Sequence, residues 1–192
     1  MSIRIVAIGG SVRKDNYTMK ALNLVTDEIA KHKDIMLDVI DPAAIDLAMP
    51  GRPATADAAK LQQLVKEATG VILATPEYHG SFSSIMKLVI ENLGFPSVLA
   101  GKPVALLGVA AGAIGAIKSL EHLRSVCSHT GAIVLPALVS VANVQKAFDA
   151  NGRMTDAGTE ARVRSVATGL IDYIRGSVCP RFILEDMIRK GS

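Results

Sequence analysis

Short apolar runs alternate along the chain with longer segments of helical periodicity, and this alternation limits the possible folds more than any other feature. The runs are nearly continuous in apolar residues, which is typical of strands buried on both faces. Such strands belong to parallel sheets, because the helices that connect them cover both faces. The sequence predicts strands at residues 3–8, 36–40, 70–75, 103–109 and 132–135, the last extendable to 141, and helices at residues 18–31, 55–68, 83–92, 116–128 and 155–174.

Five parallel strands with alternating helices favour a doubly wound α/β/α arrangement with the strand order 2-1-3-4-5. In this arrangement ligands bind beyond the carboxyl ends of the strands, at the point where the strand order reverses. We therefore expect the loops after the first, third and fourth strands to come together. We call them the first, second and third loops.

The length of 192 residues suits a single domain, which we place at residues 1–180, with residues 181–192 as a C-terminal tail. The tail returns to a helical apolar spacing at Phe182, Ile183, Met187 and Ile188, which indicates a helix. A composition of 49% hydrophobic and 20% charged residues is that of a compact folded protein.

Charge and apolar content exclude several classes of partner. The formal net charge is only +3, the basic residues are scattered, and the chain has no Trp, so no nucleic-acid interface is expected. The longest nearly uncharged stretch, residues 103–117, is shorter than the roughly 20 residues that a membrane span needs. Cys127 and Cys179 fit no metal-ligand spacing, and the N-terminus lacks the features of a signal peptide. We therefore expect a cytoplasmic protein without a metal site or a membrane partner.

The first loop, Gly9–Thr18, has the composition of an anion site. A strand, a turn and a helix N-terminus aim unpaired backbone N–H groups and the positive end of the helix dipole at one point. Ser11, Asn16 and Thr18 can donate hydrogen bonds to phosphate oxygens there, and Arg13 can form a charge-assisted pair. Neither a dinucleotide fingerprint nor a nucleoside-triphosphate loop is present, so a monophosphate fits better. An ordinary strand-to-helix turn is the alternative.

The second loop, Thr75–Ser84, contains features that suit a flat ligand. A proline ends the strand, and Gly80 allows close approach of the backbone to a ring. His79 admits either an acid/base role or a role in positioning the backbone. Glu77 has no carboxylate or metal-ligand companion in the sequence, which argues against a glycosidase or a metal enzyme.

The third loop, Gly108–Ala116, consists of small residues and contains no nucleophile or base. Bare N–H groups at a helix start can stabilise negative charge on a ligand, and small side chains leave room for a wide ring. Close packing between a helix and a strand is the alternative explanation.

Taken together, these loops resemble those of the NADPH-dependent FMN reductase family, flavodoxin-like enzymes that include chromate, quinone and azo-dye reductases. The phosphate loop of that family, G-S-x-R-x-x-S-x-[NT], is matched by Gly10–Thr18, with Asn16 where serine is usual. Its P-E-Y-[NH]-G-S motif is matched by Pro76–Ser81, followed by Lys87 and Glu91. The resemblance covers about residues 1–175 and implies a flavodoxin-like three-layer α/β/α fold with a five-stranded parallel sheet.

The chain also departs from the family pattern. Ser83-Ser84 replaces a frequent Pro-Gly, and Asn92 replaces a frequent Trp at the end of the following helix. The third loop keeps Gly112 and Gly115 but lacks the usual serine and double glycine. These departures affect the expected substrate preference and leave the expectation of FMN binding unchanged.

The resemblance implies hydride transfer from NADPH to FMN and then electron transfer to an acceptor such as free FMN, a quinone, chromate or an azo compound. The cofactor supplies this chemistry, so no catalytic side chain is expected. The resemblance further implies a homodimer or a homotetramer. The candidate cofactor-binding residues are Ser11, Arg13, Asn16, Tyr17, Thr18, Pro76, Glu77, Tyr78, His79, Gly80, Ser81, Ala110, Ala111, Gly112, Ala113, Ile114 and Gly115.

Three other functions share the expected fold. An electron-carrier flavodoxin would bind FMN without oxidising NADPH itself, but such carriers are usually acidic and cover the flavin with aromatic rings, whereas this chain is net positive and has no Trp. A non-catalytic FMN sensor is a second alternative. A response-regulator receiver is rejected, because Gly9, Gly10 and Thr75 occupy positions that would need acidic residues.

Overall fold

A computed structural model describes residues 2–190 and contains a sheet flanked by helices on both faces. The strands are β1 Ile3–Gly9, β2 Ile35–Ile40, β3 Gly70–Tyr78, β4 Ser81–Phe82, β5 Pro103–Val109, β6 Ile133–Val134 and β7 Val139–Val141. The helices are α1 Tyr17–Ile29, α2 Ala56–Glu67, α3 Ser84–Glu91, α4 Ile117–His129, α5 Val144–Ala147, α6 Ala157–Tyr173 and α7 Cys179–Lys190.

The order of the sheet is β2-β1-β3-β5, with β6 and β7 both pairing with β5 at the far edge. All of these pairs are parallel, so the predicted doubly wound α/β/α arrangement and the order 2-1-3-4-5 of its main strands are confirmed. The register places the ends of β1, β3 and β5 side by side, with Gly9 opposite Ala74 and Pro76 opposite Val109.

The predicted number of five strands was wrong, because the sheet within residues 2–190 has seven. The expected fifth strand is split into β6 and β7, which flank a segment that contains Pro136. Proline has no N–H to donate to the ladder, so strand pairing is interrupted there. The other addition, β4, is a two-residue strand that pairs antiparallel with the end of β3. It is too short to produce a recognisable alternation in the sequence.

The two faces of the sheet support separate apolar cores. Ile5 and Ala7 of β1 face the core shared with α1 and α6, whereas Val6 and Ile8 face the core shared with α2, α3 and α4. Strand residues on both faces are buried, which explains why β1 is apolar apart from the half-buried Arg4 near its start. In the second core, burial raises the pKa of the Cys127 thiol to about 12.

Short polar side chains set the starts of four helices. Asn16, Thr55, Ser83 and Asp156 cap α1, α2, α3 and α6, each accepting a hydrogen bond from a backbone N–H three residues later. Hydrogen bonds from the side chain and backbone of Thr159 hold the pKa of the Asp156 carboxyl below its usual range.

The C-terminal part of the chain leaves the body of the domain. After α6, a single π-helical stretch, Ile174–Val178, leads directly into α7. The large apolar side chains of α7 are 51–66% exposed. They are Phe182, Ile183, Leu184, Met187 and Ile188. Within residues 2–190, no helix combines the length and the apolar character needed to cross a membrane.

Candidate functional site

A cleft of about 310 Å³ opens at the carboxyl ends of β1, β3 and β5. This is the position that a doubly wound sheet reserves for ligands. The cleft is lined by Ser11, Arg13, Lys14, Asp15, Asn16, Tyr17, Thr18, Pro76, Glu77, Tyr78, Val109, Ala110, Ala111, Val144 and Gln145.

The first loop is held in shape by its own side chains. The Asn16 amide accepts a hydrogen bond from the Met19 N–H at 2.8 Å and donates one to the Arg13 carbonyl at 2.8 Å. Ser11 is buried, and its hydroxyl accepts from the Arg13 N–H at 3.3 Å. Thr18 is likewise buried. These residues shape the loop, and in this structure the Asn16 side chain is a helix cap.

The N-terminus of α1 offers free donors to the cleft. Among residues 2–190, none accepts a hydrogen bond from the N–H groups of Tyr17 and Thr18. The first turn of α1 contains no acidic residue. The Arg13 guanidinium lies across the opening, with its Cζ 4.8 Å from the centroid of the Tyr78 ring. Free N–H groups, a helix dipole and an arginine together make a site that fits a phosphate.

The second loop is a tight hairpin that joins β3 to β4. Its two central residues, His79 and Gly80, both have positive φ values, +50° and +73°. This is the backbone sign of a two-residue type I′ turn, which matches the twist of the flanking strands. Neither residue lines the cleft, so the structure assigns His79 a place in the turn.

Ser83 ties the second loop to the first. Its hydroxyl donates a hydrogen bond to the Gly10 carbonyl at 2.5 Å, and its N–H donates to the Thr75 hydroxyl at 3.1 Å. A proline in this place would have neither donor. Ser83, which replaces the frequent proline of the family pattern, therefore has a structural role in this protein. Asn92, which replaces a frequent Trp of the family pattern, also has a structural role. Its amide accepts a hydrogen bond from the Ala48 N–H and donates one to the Ala48 carbonyl.

Glu77 links the second loop to α4. Its carboxylate accepts a hydrogen bond from the Ser119 N–H at 3.1 Å. Ala116, the residue that precedes α4, has no side chain that can cap the helix. Glu77, near the end of β3, therefore supplies the acceptor for an N–H group in the first turn of α4. Glu77, a predicted cofactor contact, lines the cleft, and its carboxylate is bonded to protein backbone.

The third loop contacts the Ser140 side chain, and several of its backbone N–H groups have no partner in residues 2–190. Gly115 has a φ of +80°, and a Cβ there would lie 2.4 Å from the Ser140 hydroxyl oxygen. That hydroxyl accepts a hydrogen bond from the Ala116 N–H at 2.7 Å. In the part of the chain that the structure describes, the N–H groups of residues 111–114 have no acceptor. These N–H groups are therefore free to donate, and their predicted role towards a ligand stays a prediction.

A fourth segment completes the cleft and was missed by the sequence analysis. Val144 and Gln145 at the start of α5 line the cleft, and the Ala110 carbonyl accepts from the Val144 N–H at 3.0 Å. The Tyr17 ring packs against Phe148 of the same segment, with centroids 5.9 Å apart. The strand β7 runs parallel to β5 and ends at Val141, so the residues that follow it emerge at the same edge of the sheet. The predicted extension of the last strand to residue 141 is the sequence signal for this segment.

The candidate residues thus fall into two groups. The first group lines the cleft: Ser11, Arg13, Asn16, Tyr17, Thr18, Pro76, Glu77, Tyr78, Ala110 and Ala111. The second group does not line the cleft: His79, Gly80, Ser81, Gly112, Ala113, Ile114 and Gly115. His79 and Gly80 form the turn of the second loop, Ser81 begins β4, and the other four residues belong to the third loop.

Comparisons with known proteins find flavin-dependent and related reductases. A family model described as NADPH-dependent FMN reductase matches residues 3–146. The 2-hydroxy-1,4-benzoquinone reductase of a Burkholderia species is 26% identical over 184 residues, which cover 91% of this chain and 98% of that protein. The NADPH azoreductase of Bacillus sp. strain OY1-2 is 32% identical over 141 residues, which cover 71% of this chain and 75% of that protein.

Solved structures show the same fold. The flavoenzyme FerB, an NAD(P)H:(acceptor) oxidoreductase from Paracoccus denitrificans, superposes with a TM-score of 0.72 at 21% identity. The match covers 91% of this chain and 98% of that one.

Proposed function

This chain belongs to the NADPH-dependent FMN reductase family, and from that premise we propose how its cleft holds FMN and which acceptor it serves. The protein is a flavin-dependent oxidoreductase that uses FMN and NADPH. We place the FMN phosphate at the N-terminus of α1, against the free N–H groups of Tyr17 and Thr18 and the Arg13 guanidinium. We place the ring towards the tips of the second and third loops.

One observation carries this placement: free backbone donors from two separate loops border the same cleft. Residues 17 and 18 offer N–H groups from the start of α1, and Ala111 offers one from the third loop. The N–H groups of residues 112–114, which follow Ala111 in the same loop, also have no acceptor among residues 2–190. The first set fits a phosphate, and the second fits a ring that gains negative charge on reduction. FMN, when bound, accepts hydride from NADPH and passes the electrons to a second substrate.

The residues of this chain shape the site by means of the backbone. Asn16 and Ser11 hold the first loop open towards the cleft, and Ser83 fixes the distance between the first and second loops. Glu77 joins the second loop to the helix that follows the third. We assign no nucleophile or acid/base role to these side chains.

We propose a quinone as the acceptor class. A relative matched over 98% of its length is named a benzoquinone reductase, and relatives named azoreductases are matched over 75 and 93% of theirs. The third loop also presents Ile114, which is 81% exposed, beside Ile117 at the start of α4. An exposed apolar surface next to the ring site suits a flat, weakly polar acceptor. An azo compound is the second candidate, on the strength of the azoreductase relative.

The phosphate assignment is tested with Arg13→Ala. Loss of a charge-assisted hydrogen bond of about 1.5 to 3 kcal/mol should weaken FMN binding roughly 10- to 150-fold. Quenching of flavin fluorescence on titration gives the Kd. Arg52→Ala, which removes the same charge from a loop outside the cleft, is the matched control. Equal FMN affinity in the Arg13 variant and the wild type would show that the phosphate lies elsewhere.

The acceptor assignment is tested by steady-state oxidation of NADPH. We expect turnover with benzoquinones and no need for a second protein, whereas an electron carrier would show none. A higher kcat/KM for azo dyes than for quinones would reverse our order of acceptors. Repeating the series with NADH gives the nucleotide preference.

We also propose that the protein acts as a homodimer or homotetramer in the cytoplasm. The exposed apolar side chains of α7 support self-association, and the two free cysteines fit a reducing compartment. Light scattering on the purified chain measures the mass of the assembly.

A further inference from the structure

The domain has an apolar cavity that shares no lining residue with the candidate cofactor cleft. Its volume is about 290 Å³, and it lies between α6 and residues 135–137, the segment between β6 and β7. Helix α6 contributes Ser165, Val166, Gly169, Leu170 and Tyr173. Ser165 and Tyr173 are the only described residues of the lining with polar side chains, so the cavity suits an apolar occupant. It opens at the surface, where Ala137 and Gly169 are exposed.

Helix α7 has an apolar face that is exposed to solvent. Ile183, Leu184, Met187 and Ile188 follow the spacing i, i+1, i+4 and i+5, which places them on one side of a helix. Together with Phe182, these side chains are 51–66% exposed. They present on the order of 500 Å² of apolar surface, which is typical of an interaction site.

The α7 helix of the same copy cannot enter the cavity beside α6. Tyr173, Ile174 and Cys179 all have right-handed helical backbones, with φ of −60° to −63° and ψ of −44° to −49°. Helix α6, the π-helical stretch and α7 therefore follow one another as a continuous helix. A π-helical turn can bend a helix, but it does not fold the helix back on itself. An α7 helix that fills this cavity must come from another copy.

The two apolar surfaces are arranged symmetrically along this continuous helix. The residues of α6 that line the cavity have the same i, i+1, i+4 and i+5 spacing as the face of α7. Residues 165–173 are centred on Gly169, and residues 182–188 are centred on Glu185. Ser177 lies halfway between these centres, in the π-helical stretch. Two copies that cross antiparallel at Ser177 would each place α7 on α6 of the other.

Two glycines on this helix have no explanation within a single copy. Gly169 lies in α6, and Gly176 lies in the π-helical stretch, next to Ser177. At either position an added Cβ would meet nothing within 4 Å among residues 2–190, and neither φ is positive. Glycine inside a helix lowers stability relative to alanine, but it allows another backbone to approach closely. Both glycines lie where a second helix would cross.

We propose that this face is the subunit interface. Two copies pair about a two-fold axis near Ser177, and α7 of each copy docks into the cavity beside α6 of the other. This proposal rests on the proposed self-association and names the surface that carries it. The pair would cover both α7 faces and the two surfaces that receive them. The covered area is on the order of 2,000 Å² in total, which is enough for a stable interface.

The first experiment blocks the cavity with Gly169→Glu. The added side chain has free space within residues 2–190 and replaces a glycine inside a helix, so the domain should stay folded. The dissociation constant of the dimer, measured by analytical ultracentrifugation, should rise at least about 100-fold, because each pair would bury two unpaired carboxylates. Gly158→Glu makes the same change at the start of α6, outside the cavity, and should keep the wild-type constant.

FMN affinity, measured by fluorescence titration, reports whether the variants are folded. Gly169 lies outside the cofactor cleft, so both glutamate variants should bind FMN as the wild type does.

The second experiment mixes two variants that should each fail to pair alone. One is Gly169→Glu, and the other carries Ile183→Gln, Leu184→Gln and Met187→Gln on α7. In a mixed pair, the intact α7 of the first variant meets the intact cavity of the second. The mixture should therefore associate more strongly than either variant at the same total concentration.

Two results would overturn this assignment and leave self-association intact. They are a wild-type dissociation constant for Gly169→Glu, and a mixture that associates no more strongly than its components. A wild type with the mass of a single copy at all concentrations would overturn both proposals. Loss of FMN binding in Arg13→Ala, which tests the cofactor cleft, does not depend on any of these outcomes.

Discussion

His79 holds a backbone conformation that histidine seldom adopts. Its φ of +50° lies in the left-handed region, where a side chain with a Cβ costs roughly 1 to 2 kcal/mol and asparagine is better tolerated. His79→Asn should therefore raise the free energy of unfolding by about 0.5 to 1 kcal/mol. Thermal denaturation of the FMN-free protein measures the change.

The prediction separates a turn residue from a catalytic one. If His79 serves the turn, His79→Asn keeps or raises activity along with stability. His79→Val, with a branched side chain at a positive φ, should lower stability. A large loss of kcat in the asparagine variant, at unchanged FMN affinity, would instead give His79 a chemical role.

At single residues, the sequence indicates which side chains can donate or accept hydrogen bonds, but it does not indicate their partners within the protein. Asn16 is predicted to donate to a phosphate; it lines the cleft, and its amide caps α1 and donates to the Arg13 carbonyl. Glu77 was expected near the cofactor, and its carboxylate accepts from a backbone N–H 42 residues away. Such partners depend on how distant elements pack, and no local pattern contains that information.

Among the elements, the third loop depends most on a single glycine. Gly115→Ala forces a methyl group to within 2.4 Å of the Ser140 hydroxyl oxygen at a φ of +80°. We expect a loss of about 1 to 3 kcal/mol in stability, together with weaker FMN binding, because the start of α4 must move. Chemical denaturation and FMN titration measure the two effects.

Gly112→Ala is the matched control, because it lies in the same loop at an ordinary φ and has nothing within 4 Å of the added Cβ. It should change stability by less than about 0.5 kcal/mol. Equal behaviour of the two variants would mean that the loop rearranges freely and that Gly115 does not set its shape.

Elements buried on both faces were predictable to within a few residues. The strand predicted at residues 103–109 has those bounds in β5, and the prediction of residues 3–8 is one residue short of β1. Elements that depend on tertiary contacts were not predictable. The strand β4 has two residues, and α5 has four residues in the stretch between the predicted fifth strand and the helix predicted at residues 155–174. Both are stabilised by neighbours, β3 and the third loop, and their own sequence gives little indication of them.

At the scale of the whole molecule, packing within the domain does not account for the apolar side chains of α7. Its large apolar side chains are more than half exposed, although side chains of this kind on α6, such as Leu170, are fully buried. Of the apolar residues of α7, Cys179 at its start packs against the core, whereas these large side chains lie on the surface. If our proposal of a homo-oligomer is right, these side chains are the natural place for a subunit contact.

The combined substitution Ile183→Gln, Leu184→Gln and Met187→Gln tests this idea, because the three side chains are 58–66% exposed. At low protein concentration it should leave the free energy of unfolding within about 0.5 kcal/mol of the wild type. At high concentration the wild type should have the larger mass by light scattering. Its Tm should also rise with protein concentration, by mass action, whereas that of the variant should not.

Leu170→Ala provides the contrast, because it removes a fully buried side chain from the preceding helix and should cost about 2 to 5 kcal/mol at every concentration. If the α7 variant lost stability in the same way, independently of concentration, α7 would pack against its own domain in solution. If its mass and Tm followed those of the wild type at all concentrations, the subunit contact would lie elsewhere on the molecule. A concentration-dependent difference between the two proteins is the result that assigns α7 to assembly, because only a contact between copies responds to protein concentration.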